Sequence, residues 1–104
     1  MSIQRFPIPA EILARFCTNW GVAEFYVFGS VLRGDFGPTS DLDVAVRFLP
    51  DARYSLFDLG DMRDELALLA GRPVDLLTVR AIEHMPNPLR RQAILGSMEL
   101  VHAA

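Results

Sequence analysis

Two carboxylates one residue apart, Asp41 and Asp43, head a strongly apolar run within the stretch FGSVLRGDFGPTSDLDVAV, residues 28 to 46. Side chains alternate across a strand. Leu42, Val44 and Val46 therefore fall on one face, and Asp41, Asp43 and Ala45 on the other. The apolar face has to be buried. The acidic face carries like charges that repel each other and are costly to bury unpaired. A fold of this chain must cover one side of the strand and give the start of the other a counter-charge or water. A hard divalent cation meets that need, because it takes oxygen ligands and commonly uses one or two carboxylates plus substrate phosphates.

The flanking segments alternate between helix and strand patterns. Residues 9 to 20 carry Ile12, Leu13, Phe16, Cys17 and Trp20 at helical spacing, with Pro9 suited to the start and Gly21 to the end. Phe25 to Phe28 is a short apolar run that reads as a buried strand ending at Gly29. Ser30 to Arg33 lies between two glycines and has room for about one helical turn. Asp35 to Ser40 is a loop punctuated by Gly37-Pro38, and Asp41 to Phe48 is the second strand.

Ser55 to Ala70 is the clearest helix. Ser55 and Asp58 form a capping-box variant, Leu56, Leu59, Met62, Leu66 and Leu69 form an apolar stripe, and Gly71 closes the helix. Val74 to Val79 is a third strand, apolar except for Asp75 and Thr78. Asn87-Pro88 opens a last helix to about Leu95, Gly96-Ser97 ends it, and Met98 to His102 forms a short edge strand. This alternation predicts one α/β or α+β layered domain over residues 1–104.

Composition narrows the function classes. The 104 residues are 51% hydrophobic and 22% charged, as expected of a globular chain. The net charge is −3, and all ten basic residues are arginines. That balance argues against general nucleic-acid binding. A single cysteine, Cys17, leaves no internal disulfide, and no apolar run is long enough to span a bilayer. A cytoplasmic protein without a membrane anchor is the expectation.

Asp41 and Asp43 acquire a role when joined to what precedes them. A strand running into Gly29 and then a turn of helix offers free backbone N–H groups. The missing side chain at Gly29 lets an anion approach the backbone, and the Ser30 hydroxyl adds a further donor. Asp75, in another apolar strand, is the natural third metal ligand if the two strands are adjacent. A phosphate cradle beside a set of carboxylates describes a metal-dependent nucleotide site. Neither half is specific alone; Gly96-Ser97 repeats the dipeptide with no carboxylates behind it. The ordered combination is the specific signal.

The stretch Gly29-Ser30-Val31-Leu32-Arg33-Gly34, followed by Asp41-Leu42-Asp43, resembles the signature of the DNA polymerase beta-like nucleotidyltransferase superfamily. More narrowly, the chain resembles the minimal nucleotidyltransferase (MNT) domains of prokaryotes. The resemblance implies a small mixed β-sheet flanked by α-helices, and transfer of a nucleoside monophosphate from a triphosphate such as ATP to a hydroxyl. It implies that Asp41, Asp43 and Asp75 hold two Mg²⁺ ions and that Gly29, Ser30, Arg33 and Ser40 contact the nucleotide.

The chain has little beyond a nucleotide-binding core. The acceptor surface is therefore expected from another chain or a second copy, which allows a homo-oligomer. Among resembling proteins this favours the antitoxins paired with HEPN-domain toxins, small helical RNases in which a tyrosine is adenylylated. Two alternatives stand beside it. One is an antitoxin that neutralises its partner by contact alone. The other is a nucleotide-binding subunit of an aminoglycoside-type transferase.

Overall fold

The computed structural model describes residues 6–33, 37 and 40–104. Nine elements follow one another: α1 (Ala10–Trp20), β1 (Val22–Phe28), α2 (Ser30–Arg33), β2 (Leu42–Phe48), α3 (Leu56–Ala70), β3 (Val74–Thr78), α4 (Val79–Glu83), α5 (Pro88–Ser97) and β4 (Glu99–Ala103). The strands form one mixed sheet in the order β3-β2-β1-β4. β1 runs antiparallel to both neighbours, and β2 is parallel to β3. The parallel pair is joined by α3, the kind of crossover that parallel strands require.

The predicted alternation of β2 divides the core. Leu42, Val44 and Val46 join Leu13, Phe16 and Cys17 of α1 and Met62 and Leu66 of α3 in one apolar cluster. Ala45 belongs to a second cluster with Phe28, Val79 and Ile82 of α4 and Ile94 of α5. The sheet is thus covered by α1 and α3 on one face and by α4 and α5 on the other. Asp43 shares Ala45's side of β2, near its start; the strand begins at Leu42, so Asp41, expected within it, precedes it.

Local chemistry explains the ends of α3. The Ser55 hydroxyl accepts from the Asp58 N–H, and the Asp58 carboxylate accepts from the Ser55 N–H at 2.8 Å, a complete capping box. Gly71 closes the helix at φ 70°, in the left-handed region. Leu66 is fully buried and Leu68 is 84% exposed, two residues apart on the same helix. Leu66→Ala should cost about 3 kcal/mol, whereas Leu68→Ala should stay within about 0.5 kcal/mol. Urea unfolding of the two variants checks the assignment of faces.

Several sequence expectations are corrected. Leu56 does not join the apolar stripe; it is 85% exposed. It lies six residues before Met62, about 120° around the helix from that buried side chain. β1 starts at Val22, ahead of Phe25, because Glu24 faces Arg47 across the β1–β2 ladder and pairs with it at 2.9 Å. β3 ends at Thr78, and Val79 opens α4, a helix that the apolar run concealed. The Thr78 hydroxyl accepts from the Ala81 N–H and starts the turn. α5 continues through Gly96-Ser97, where the Ser97 hydroxyl donates to the Ala93 carbonyl at 2.7 Å. Its start is as predicted, with the Asn87 side chain accepting from the N–H groups of Leu89 and Arg90. The edge strand after it is also present, paired to β1.

Cys17 packs in the first cluster, and desolvation pushes its thiol pKa up to about 12. It is a core side chain, not a nucleophile at neutral pH. No helix among the described residues is long and apolar enough to cross a membrane.

Candidate active site

The site is built where β1 ends and β2 and β3 begin. Register fixes it. Asp43 is paired with Phe28 on the antiparallel side and with Asp75 on the parallel side. Registered residues on neighbouring strands point to the same face and lie about 5 Å apart. Asp43 and Asp75 are therefore side by side, on the face that also carries Ala45 and Leu77. Asp43 is half-buried, and Asp75 and Asp41 are exposed. Asp41 lies two residues upstream of Asp43, just before β2.

Gly29 closes the other side. It sits between β1 and α2 at φ 77°, a left-handed conformation that side chains other than glycine rarely adopt. A Cβ placed on it would overlap Asp43 Oδ2 and come within 3.1 Å of Asp43 Cγ. The backbone of the Gly-Ser turn and the Asp43 carboxylate are thus in direct contact. The Leu32 N–H donates to the Gly29 carbonyl at 3.0 Å, which tightens the turn into α2.

The loop that delivers Asp41 is anchored from the α3–β3 turn. Arg72 Nη1 donates to the Gly37 carbonyl at 2.7 Å, and the Leu42 N–H donates to the Pro73 carbonyl at 2.9 Å. Ser40 Oγ accepts from the Gly37 N–H at 3.0 Å, and the Ser40 N–H returns a bond to the Gly37 carbonyl at 3.1 Å. Asp41 is held between two bonded neighbours. Sequence reasoning missed Arg72; nothing marks an arginine in a Gly-Arg-Pro turn as the anchor of a loop 35 residues away. The Ser40 hydroxyl, expected on the nucleotide, supports the loop here.

Other expected residues are placed less completely. The side chains of Ser30 and Arg33, and the whole of Gly34, lie outside the described residues. Among the described residues, no three His, Cys, Asp or Glu side chains gather closely enough to hold a metal ion. Asp43 and Asp75 are neighbours by register, but the trio with Asp41 is not drawn together. The donor chemistry of the set, all carboxylate oxygen beside an open backbone, fits a hard divalent cation.

A cavity of about 290 Å³ lies elsewhere, at the far ends of β2 and β3, lined by residues that include Arg47, Tyr54, Thr78 and Arg80. The Tyr54 ring stacks on Phe48 there at 3.9 Å. Asp43 is four residues back along β2, roughly 13 Å by strand rise. The cavity and the carboxylates are separate features.

The order β1, Gly-Ser turn, Asp-x-Asp strand and parallel third carboxylate strand can be compared with known proteins. Residues 10–101 match the family described as "Nucleotidyltransferase domain". The chain belongs to this family. A Methanocaldococcus jannaschii protein, named as a candidate protein adenylyltransferase, is 37% identical over 76 residues, covering 73% of this chain and 75% of that protein. The nucleotidyltransferase fold recurs in a toxin–antitoxin crystal structure with AMP-PNP. That chain has a TM-score of 0.71 and 17% identity, over 93% of this chain and 75% of its own length. It recurs again in a structure of a tri-AMPylated Shewanella oneidensis HEPN toxin in complex with MNT antitoxin. There the TM-score is 0.62 and the identity 15%, over 91% of this chain and 70% of the other. This nucleotidyltransferase is a transferase with a mixed sheet flanked by helices, as its sequence predicts.

Proposed function

We propose that this nucleotidyltransferase moves AMP from ATP to a tyrosine hydroxyl, and that the tyrosine belongs to a HEPN-type toxin for which the chain is the antitoxin. The observation that carries the reading is the pairing of Asp43 with Asp75, with Asp43 lying against Gly29. Adjacent oxygen donors beside a bare stretch of backbone suit a triphosphate chelated to Mg²⁺. The name of the M. jannaschii relative and the AMP-carrying toxin of the Shewanella complex support the same chemistry.

In this reading Asp41, Asp43 and Asp75 would hold the metal, and the Gly29 turn, Ser30, Arg33 and the Ser40 loop would border the phosphates. A bound divalent ion supplies neutralising charge to the phosphates and eases deprotonation of the acceptor hydroxyl. The acceptor oxygen bonds to the α-phosphorus as the bond from that phosphorus to the bridging oxygen breaks. The electron pair leaves with pyrophosphate, and catalysis rests on positioning and charge. Asp75 is exposed and Asp43 half-buried. The family resemblance puts Asp75 with the metal nearest the acceptor, where its carboxylate oxygen would take the hydroxyl proton, and Asp43 with the nucleotide.

The test mixes the purified chain with the separately purified product of the neighbouring reading frame, ATP and Mg²⁺. The partner is then weighed by mass spectrometry. The expected result is an AMP-sized gain that maps to a tyrosine. A partner that binds but stays unmodified overturns the transfer. It would leave the second reading, neutralisation by contact, which the exposed apolar side chains of α3 favour.

A further inference from the structure

The outer face of α3 has a composition that an isolated surface helix does not need. Met62 and Leu66 point into the core and are fully buried. Opposite them, Phe57, Asp61, Asp64 and Leu68 recur at spacings of four, three and four residues, which aligns them on one stripe. Phe57 is 88% exposed and Leu68 84%. Both aspartates are exposed, and Asp64 makes a 3.3 Å contact with the neighbouring Arg63. Exposed apolar side chains that group together mark interaction surfaces, whereas singly scattered ones do not; Leu56, 85% exposed, adjoins Phe57, and this group and Leu68 bracket a pair of charges. Phe57 and Leu68 stand about 16 Å apart along the helix.

We infer that this stripe is a docking surface for a protein partner that offers two apolar pockets with arginine or lysine side chains between them. A second copy of this chain does not fit. The stripe is symmetric about its midpoint, so a two-fold antiparallel pairing sets Phe57 against Leu68 of the other copy. The same pairing sets Asp61 against Asp64 of the other copy, twice over. Like charges opposed in this way cost affinity and select against self-association. The charge that complements the stripe is positive. A protein that binds and cuts RNA must present such charge to the phosphate backbone. The inference therefore rests on the proposed HEPN partner and deepens it. It also separates holding from chemistry, because α3 covers the sheet face opposite the one carrying Asp43 and Asp75.

The experiment titrates the purified chain into the purified product of the neighbouring reading frame by calorimetry. Phe57→Glu/Leu68→Glu and Asp61→Lys/Asp64→Lys are compared with wild type. Phe57→Ser serves as a milder companion. All four positions are exposed, so the partner-free melting temperatures and the response to Mg²⁺-ATP should match wild type. The expected result is affinity lower by on the order of 100-fold for the apolar pair. The charge-reversed pair should also lose affinity, and with it the salt dependence of binding. Wild-type affinity in both pairs and in Phe57→Ser overturns the surface while leaving the partner intact. Failure of the wild type itself to bind overturns the partner and the surface together. A wild-type dimer in light scattering that Phe57→Glu/Leu68→Glu dissolves would make the occupant a second copy, which also overturns the inference.

Discussion

Asp43→Asn should reduce AMP transfer by about 100- to 1,000-fold, the scale on which a single group aimed at developing charge acts, without unfolding the chain. Asparagine keeps the shape of the side chain against Gly29 and removes the charge. The readout that isolates its role is binding. Mg²⁺-ATP at ten times its dissociation constant should stabilise the wild type by roughly 1.4 kcal/mol. In a domain of this size that raises the melting temperature by about 5 °C or more. Asp43→Asn should lose most of that rise. Asp75→Asn should lose transfer to a similar degree yet keep more of the thermal response, because Asp75 borders the acceptor. Equal thermal responses in wild type and Asp43→Asn would remove Asp43 from the nucleotide site. An Asp41→Asn/Asp43→Asn double variant that still neutralises the partner at the same dose would show that contact is sufficient.

The difference between these two carboxylates was only half legible in the sequence. Alternation along Leu42 to Val46 is enough to place Asp43 opposite the continuous aliphatic face, whereas Asp41 precedes the strand predicted to carry it. The capping box at Ser55 and the stop at Gly71 are local, and local signals survive in any fold. The pairing of Asp43 with Asp75 is a long-range register, conditional on β2 and β3 being neighbours. So is the bond from Arg72 to Gly37, which depends on a turn and a loop meeting. The hidden helix α4 is a different failure. Val79 continues an apolar run, and only the capping bond from Thr78 turns the chain. The outer face of α3 misled for the opposite reason. Leu56 matches the spacing of a stripe at one end, but hydrophobicity alone does not tell a core contact from a surface kept open.

Gly29→Ala is expected to be the most damaging methyl addition among the described glycines, and a control lies within the same protein. Gly29 and Gly71 have nearly the same backbone, at φ 77° and φ 70°. An alanine at either position meets the left-handed penalty of roughly 1–2 kcal/mol. The surroundings differ. A Cβ at Gly71 has nothing within 4 Å, whereas at Gly29 it lands on the Asp43 carboxylate. Asp43 has little room to retreat, because its own backbone is held in register by β1 and β3. Overpacking of this kind adds about 1–3 kcal/mol. Gly29→Ala should therefore unfold at clearly lower urea than Gly71→Ala. At temperatures where both are folded, Gly29→Ala should have lost transfer and Gly71→Ala should have kept it, since only the former displaces Asp43. Equal stability losses with full activity in both would mean that Gly29 serves the turn alone. The Gly-Ser signature would then owe nothing to the carboxylate it touches.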